Sequence, residues 1–113
     1  MSAPTITTNA CTLITPTTAT LNGAINNTGS SDVRQRGFVY KVGTSGDPTI
    51  GGAGCTDVHA HGIWGISVFY QNIVGLTENT NYRVRAYGIN LTDTGYGLTV
   101  NMKTIGAGFF LVF

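Results

Sequence analysis

The chain has 113 residues, 42% of them hydrophobic and only 10% charged, with six Lys and Arg against five Asp and Glu for a formal charge of +1. That length fits one domain whose core needs no metal or disulfide, and the apolar content excludes a disordered chain. The charge balance excludes a nucleic-acid binder, which needs clustered basic groups against phosphates, and no run approaches the roughly 18 apolar residues of a membrane span.

In chain order the predicted elements are all strands, because apolar residues recur at period two in short runs set apart by Gly, Asn, Asp and Pro. Pro4 to Thr8 reads as a first edge strand. Thr18 to Ile25 follows Pro16 and puts Ala19, Leu21, Gly23 and Ile25 on one face. The stretch from Asn26 to Asp32 is a turn, since Asn and Gly accept left-handed backbone and Asp and Ser cap it locally. Arg34 to Val42 is the next strand, with Phe38 and Tyr40 inward. From Gly43 to Gly62 glycine is dense, and one short strand is expected there, at Thr49-Ile50 or at Thr56 to His59.

Ile63 to Val74 returns to strand character with large apolar groups on both parities, so both of its faces are expected to be covered. Asn81 to Ile89 is the clearest strand: Tyr82, Val84 and Ala86 alternate against Arg83, Arg85 and Tyr87. Asp93-Thr94-Gly95 turns the chain, and Gly97 to Thr104 closes the sheet. Six to seven strands separated by turns predict an all-β, immunoglobulin-like Greek-key sandwich of two antiparallel sheets.

Leu76, Thr80, Tyr82, Val84 and Ala86 resemble the E–F corner and F strand of fibronectin type III modules, with Glu78 where that family often has Pro. Thr18 to Gly23, Arg36 to Tyr40 and Gly95-Tyr96-Gly97 resemble a bacterial and bacteriophage branch of them. The resemblance spans about residues 4 to 104 and implies a scaffold. It makes Leu76, Tyr82, Val84 and Ala86 fold-defining, with the Tyr82 hydroxyl returning to backbone near the preceding loop. Trp64, the single Trp, stands outside the family's usual position and is either a core plug or a surface contact.

No phosphate loop, nucleophile elbow or paired carboxylate occurs, Ser45 and Ser67 lack a base, and the five acids are scattered. A non-enzymatic protein without cofactors is therefore expected. Cys55, Asp57, His59 and His61 are spaced by two and share one face of an extended chain. All four are competent zinc ligands, yet alternate residues of a strand lie about 6.6–6.8 Å apart, too far for one straight strand to wrap an ion. Trp64, Tyr87 and Tyr96 can stack on sugar rings or serve as ordinary cross-strand partners. Cys11 and Cys55 can be bridged or free.

The opening residues Met1 to Thr5 carry no basic or apolar leader, so synthesis and assembly in a cytoplasm, or a mature fragment, is expected. Residues 105–113 form an apolar segment after the sandwich of residues 1–104. Phe109, Phe110, Leu111, Val112 and Phe113 need a shelter, in their own domain or, as expected here, in a neighbouring subunit. With the low charge and the branch resemblance, this implies a structural protein of a bacteriophage virion. It would be a capsid decoration or tail component, homo-oligomeric or part of a larger assembly, located in the virion after cytoplasmic synthesis. Two alternatives stand beside it: an extracellular or cell-surface adhesion or glycan-binding module, and a metal-binding protein using the His59/His61 region.

Overall fold

A computed structural model describes residues 2–106. Eight strands run in chain order as β1 (Thr5–Thr12), β2 (Ala19–Asn27), β3 (Val33–Val42), β4 (Thr56–Trp64), β5 (Ser67–Ile73), β6 (Asn81–Ile89), β7 (Thr94–Tyr96) and β8 (Val100–Lys103). A three-stranded sheet has the order β1-β2-β5, and a five-stranded one the order β4-β3-β6-β7, with β8 also on β6. All pairings are antiparallel. The chain changes sheet between β2 and β3, β4 and β5, and β5 and β6, which makes the sandwich the immunoglobulin-like Greek key expected. β7 and β8 are two stretches of one final run along β6, so the fold keeps the sevenfold plan.

The core lies between the sheets and follows the alternation of β2 and β6. Leu21, Ile25, Phe38, Phe69, Ile73, Leu76, Tyr82, Val84, Ala86 and Met102 pack together there. Phe38 and Phe69 meet across the sheets at 5.1 Å between ring centres, a contact worth about 0.5–1.5 kcal/mol beyond its buried area. At the corner before β6 the Thr77 amide donates to the Tyr82 hydroxyl at 2.8 Å, the predicted tyrosine corner. Glu78 in place of Pro leaves the corner to be pinned from β8. The buried Thr104 hydroxyl donates to the Thr77 carbonyl at 2.6 Å and accepts from the Thr80 amide at 3.0 Å.

Several local expectations change. The Ile63 to Val74 strand is broken at Gly65: Ile63 and Trp64 end β4 in one sheet, while β5 starts at Ser67 in the other. β4 is a full nine residues, longer than the short strand foreseen within the glycine-rich stretch. A register shift between Val33 and Gln35 lets Val33 join the core even though Phe38, of opposite parity, lies there too. Leu98 does not extend the last strand inward; it is exposed between β7 and β8. Cys11 and Cys55 are free thiols. The segment Phe109 to Phe113 falls outside the described residues.

Candidate binding surface

Each sheet has an outer face, and the two differ. On the five-stranded sheet the outward residues of β4, β3 and β6 are Asp57, His59 and His61, then Gln35, Gly37 and Val39, then Arg83, Arg85 and Tyr87. Gly37 is paired between His59 and Tyr87. A Cβ there would strike the Val58 carbonyl oxygen and the Cα and Cβ of His59, so only glycine lets β4 approach this closely. The missing side chain also lets Tyr87 reach across β3 toward β4. Its hydroxyl donates to Asp57 Oδ1 at 2.7 Å and accepts from Gln35 Nε2 at 3.0 Å. His61 Nε2 donates to Gln35 Oε1 at 3.0 Å, and His59 Nδ1 lies 3.2 Å from Asp57 Oδ2.

Hydrogen bonds thus run in one sense, His61 to Gln35 to Tyr87 to Asp57, and His59 closes on the same carboxylate. Burial, with the Asp57 carboxylate beside it, pushes the Tyr87 phenol well above its ordinary range, against the Gln35 donor, so the phenol stays protonated.

The loop of residues 43–55 is fastened across the β6 side of this face, while His59 and His61 remain exposed. Arg83 Nε donates to the Gly46 carbonyl at 2.9 Å, Arg85 Nη1 reaches the Pro48 carbonyl at 3.4 Å, and the Ile50 amide donates to the Tyr96 hydroxyl at 3.1 Å. Asp47 pins the loop to Thr99 at 2.7 Å, and the Thr99 hydroxyl, with Arg85 and Arg83 nearby, lowers its carboxyl. Pro48 of the loop is buried, and so is Tyr87, with 0% of its surface exposed.

Among the described residues, the outer face of the three-stranded sheet stands open at Val68 and Tyr70. Thr7, Asn9 and Thr12 of β1 pair with Ala24, Asn22 and Thr20 of β2, and these pair with Val68, Tyr70 and Asn72 of β5. None of the three strands contains a charged residue. The polar groups brace one another: Thr20 donates to Asn72 Oδ1 at 2.6 Å, and Asn22 Nδ2 donates to the Ala10 carbonyl and to Thr12 Oγ1. Tyr70 is 66% exposed among them. The expectation that both faces of this stretch are covered is corrected, since Ile66, Val68, Tyr70 and Val74 all stand open.

These placements sort the residues singled out in the sequence. Tyr87 is buried and bonded to Gln35 and Asp57, Tyr96 lies under the Arg85 guanidinium at 4.3 Å, and Trp64 packs on the core edge under the Arg36 guanidinium at 4.1 Å. Each of the three rings is engaged within the domain. Tyr70 was missed because its strand carries apolar groups on both parities; the lack of any charge in β1, β2 and β5 was the available signal.

Asp57, His59 and His61 do share a strand face, but Cys55 precedes β4. Among the described residues no three His, Cys, Asp or Glu side chains are placed to hold a metal ion. A metal centre at the His59/His61 region is corrected accordingly: Gln35 and Tyr87 take up His61 and Asp57 instead. No described helix is long and apolar enough to cross a membrane.

Comparison with solved structures matches this fold over nearly the whole chain. The sensor domain of the anti-sigma factor RsgI4 from Pseudobacteroides cellulosolvens is similar in a shorter form, with TM-score 0.69 and 15% identity, covering 94% of this chain and 98% of that one. Its solution structure gives TM-score 0.70 and 15% identity over 91% of this chain and 76% of that one. A computationally redesigned β-sandwich protein is similar at TM-score 0.63 and 15% identity, over 95% of this chain and 98% of that one. No family profile and no curated protein matches the sequence. The immunoglobulin- or fibronectin-like sandwich is shown; the bacteriophage branch is not. The likeness to bacterial sensor domains overturns the expected virion role, and with it the capsid-decoration, tail and virion-location assignments.

Proposed function

We propose that the chain is a non-enzymatic recognition module that works at a cell surface or outside the cell, where it binds a neutral carbohydrate polymer. The observation that carries this is the open, charge-free face of the three-stranded sheet with Tyr70 at its middle, 66% exposed and flanked by Asn22 and Asn72. A sugar ring offers an apolar face of C–H groups and a rim of hydroxyls. The Tyr70 ring supplies the matching apolar surface, and the amides and hydroxyls around it supply donors and acceptors. A face without charges suits a ligand without charges, because no ion has to be desolvated on either side. The similarity to sensor domains of a bacterial anti-sigma factor supports a role in recognition.

The test is retention on insoluble neutral polysaccharides and titration with their soluble oligosaccharides, beside acidic ones as a control. Tyr70→Ala should weaken the neutral ligands about tenfold or more, the equivalent of 1.4 kcal/mol or more. Binding that ignores this change, or that prefers acidic glycans, would defeat the proposal.

A further inference from the structure

The two sheets leave four edges among the described strands, and three of them are guarded. β1 carries two register shifts, and β7 runs so close beside it that a Cβ on Gly95 would strike the Pro4 carbonyl oxygen. β4 bears Asp57, His59 and His61. The β7/β8 edge is interrupted between Tyr96 and Val100 and ends on Lys103. Charges, bulges and interruptions are the usual means by which an edge strand resists pairing with another strand.

β5 has none of these. Its seven residues, Ser67-Val68-Phe69-Tyr70-Gln71-Asn72-Ile73, pair with β2 in unbroken register and contain no charge and no Pro. Outward from the same strand and its two flanks stand Ile66 (73% exposed), Val68 (78%), Tyr70 (66%) and Val74 (74%). A shallow cavity of about 350 Å³ lined by Ala24, Ile25, Asn26, Ile66, Ser67 and Val68 opens beside the start of the strand.

We infer that β5 pairs antiparallel with β5 of a second copy of this chain about a two-fold axis at Tyr70. The stripe is self-complementary in that arrangement. With the axis at Tyr70, position 66 of one copy faces position 74 of the other, and 68 faces 72. Each exposed Val74 therefore lands on the other copy's Ile66 beside its cavity, and the two Tyr70 side chains meet at the axis. The open backbone groups of both edges are satisfied by each other. An isologous contact of this kind closes after two copies, so it stops at a dimer. Its result is one six-stranded sheet with a continuous uncharged outer face. The inference does not depend on what that face binds.

Sedimentation equilibrium of the full chain tests it, expecting a species of twice the 11.9 kDa chain mass. Ile66→Lys alone and Val74→Glu alone should each raise the dimer dissociation constant about tenfold or more, because each puts one charge against an aliphatic neighbour. The double variant Ile66→Lys/Val74→Glu should recover the wild-type constant to within about threefold, since each Lys then faces a Glu across the axis. Both positions are open to solvent, so folding is spared. A monomer at every concentration, a dimer that the single changes leave alone, or a double variant without recovery would overturn the pairing. A dimer that binds no carbohydrate would defeat only the functional proposal.

Discussion

The two outer faces of this sandwich are built from opposite materials. All six Lys and Arg residues lie in strands of the five-stranded sheet, together with Asp57, and the other four acids lie in loops. The three-stranded sheet has no charge at all. Yet the charged face is the one that carries a fastened loop, because Arg83 and Arg85 hold backbone carbonyls of residues 43–55, and its Tyr87 is buried. Here charge serves as an internal clasp. The three-stranded sheet has no loop fastened over it among the described residues, and Val68 and Tyr70 stand open there.

Paired substitutions of one residue type break this comparison most sharply. Tyr87→Ala removes a fully buried ring and leaves Gln35 and Asp57 without their shared partner, so it should cost about 3–5 kcal/mol in urea unfolding. Tyr70→Ala, on the open face, should stay within about 0.5 kcal/mol when both proteins are unfolded as dissociated chains. Equal costs for the two would mean that the buried contacts of Tyr87 do not hold its ring. A smaller effect is expected on the Tyr87 face from Gly37→Ala, whose Cβ meets β4 backbone that cannot step aside. About 1–3 kcal/mol of destabilisation should follow, with the His61–Gln35–Tyr87–Asp57 hydrogen bonds losing protection in amide exchange and ring-proton spectra.

How much of this was legible in the sequence depends on which side of a strand is asked about. Alternation, a local consequence of a pleated backbone, correctly turned Leu21, Ile25, Val84 and Ala86 inward, and the resemblance of Leu76, Thr80 and Tyr82 to the fibronectin type III corner implied the Tyr82 hydrogen bond. Alternation says nothing about what covers the other side. Tyr87 and Tyr70 are both outward by parity, yet Tyr87 is buried among Gln35, Asp57 and Tyr96, the first two far from it in the chain, while Tyr70 is exposed. Val33 escaped for a related reason: one shift of register reverses the side on which a residue lies. The break at Gly65 was hidden because apolar residues continue through it, although the chain changes sheets there.

The smallest effect sharpens the comparison from beneath the open sheet. Cys11 lies within the irregularity in β1 and packs on the core, and burial pushes its thiol from 9.0 up to about 11. Between those two values the unfolded chain releases this proton while the folded chain keeps it, so ionisation favours the unfolded state. The contribution to stability is therefore intact below pH 9 and is lost as pH rises toward 11. Tyr87 adds a loss of the same sign at higher pH, so the slope belonging to Cys11 is the difference between wild type and Cys11→Ala. Urea midpoints measured at about pH 8 and about pH 10.5 should converge between the two proteins as the pH is raised. The open sheet would then be exposed on one side only, with its inner side as well sealed as the other sheet's. Midpoints that stay parallel would place Cys11 in water and make the whole edge of that sheet a looser structure than its hydrogen bonds indicate.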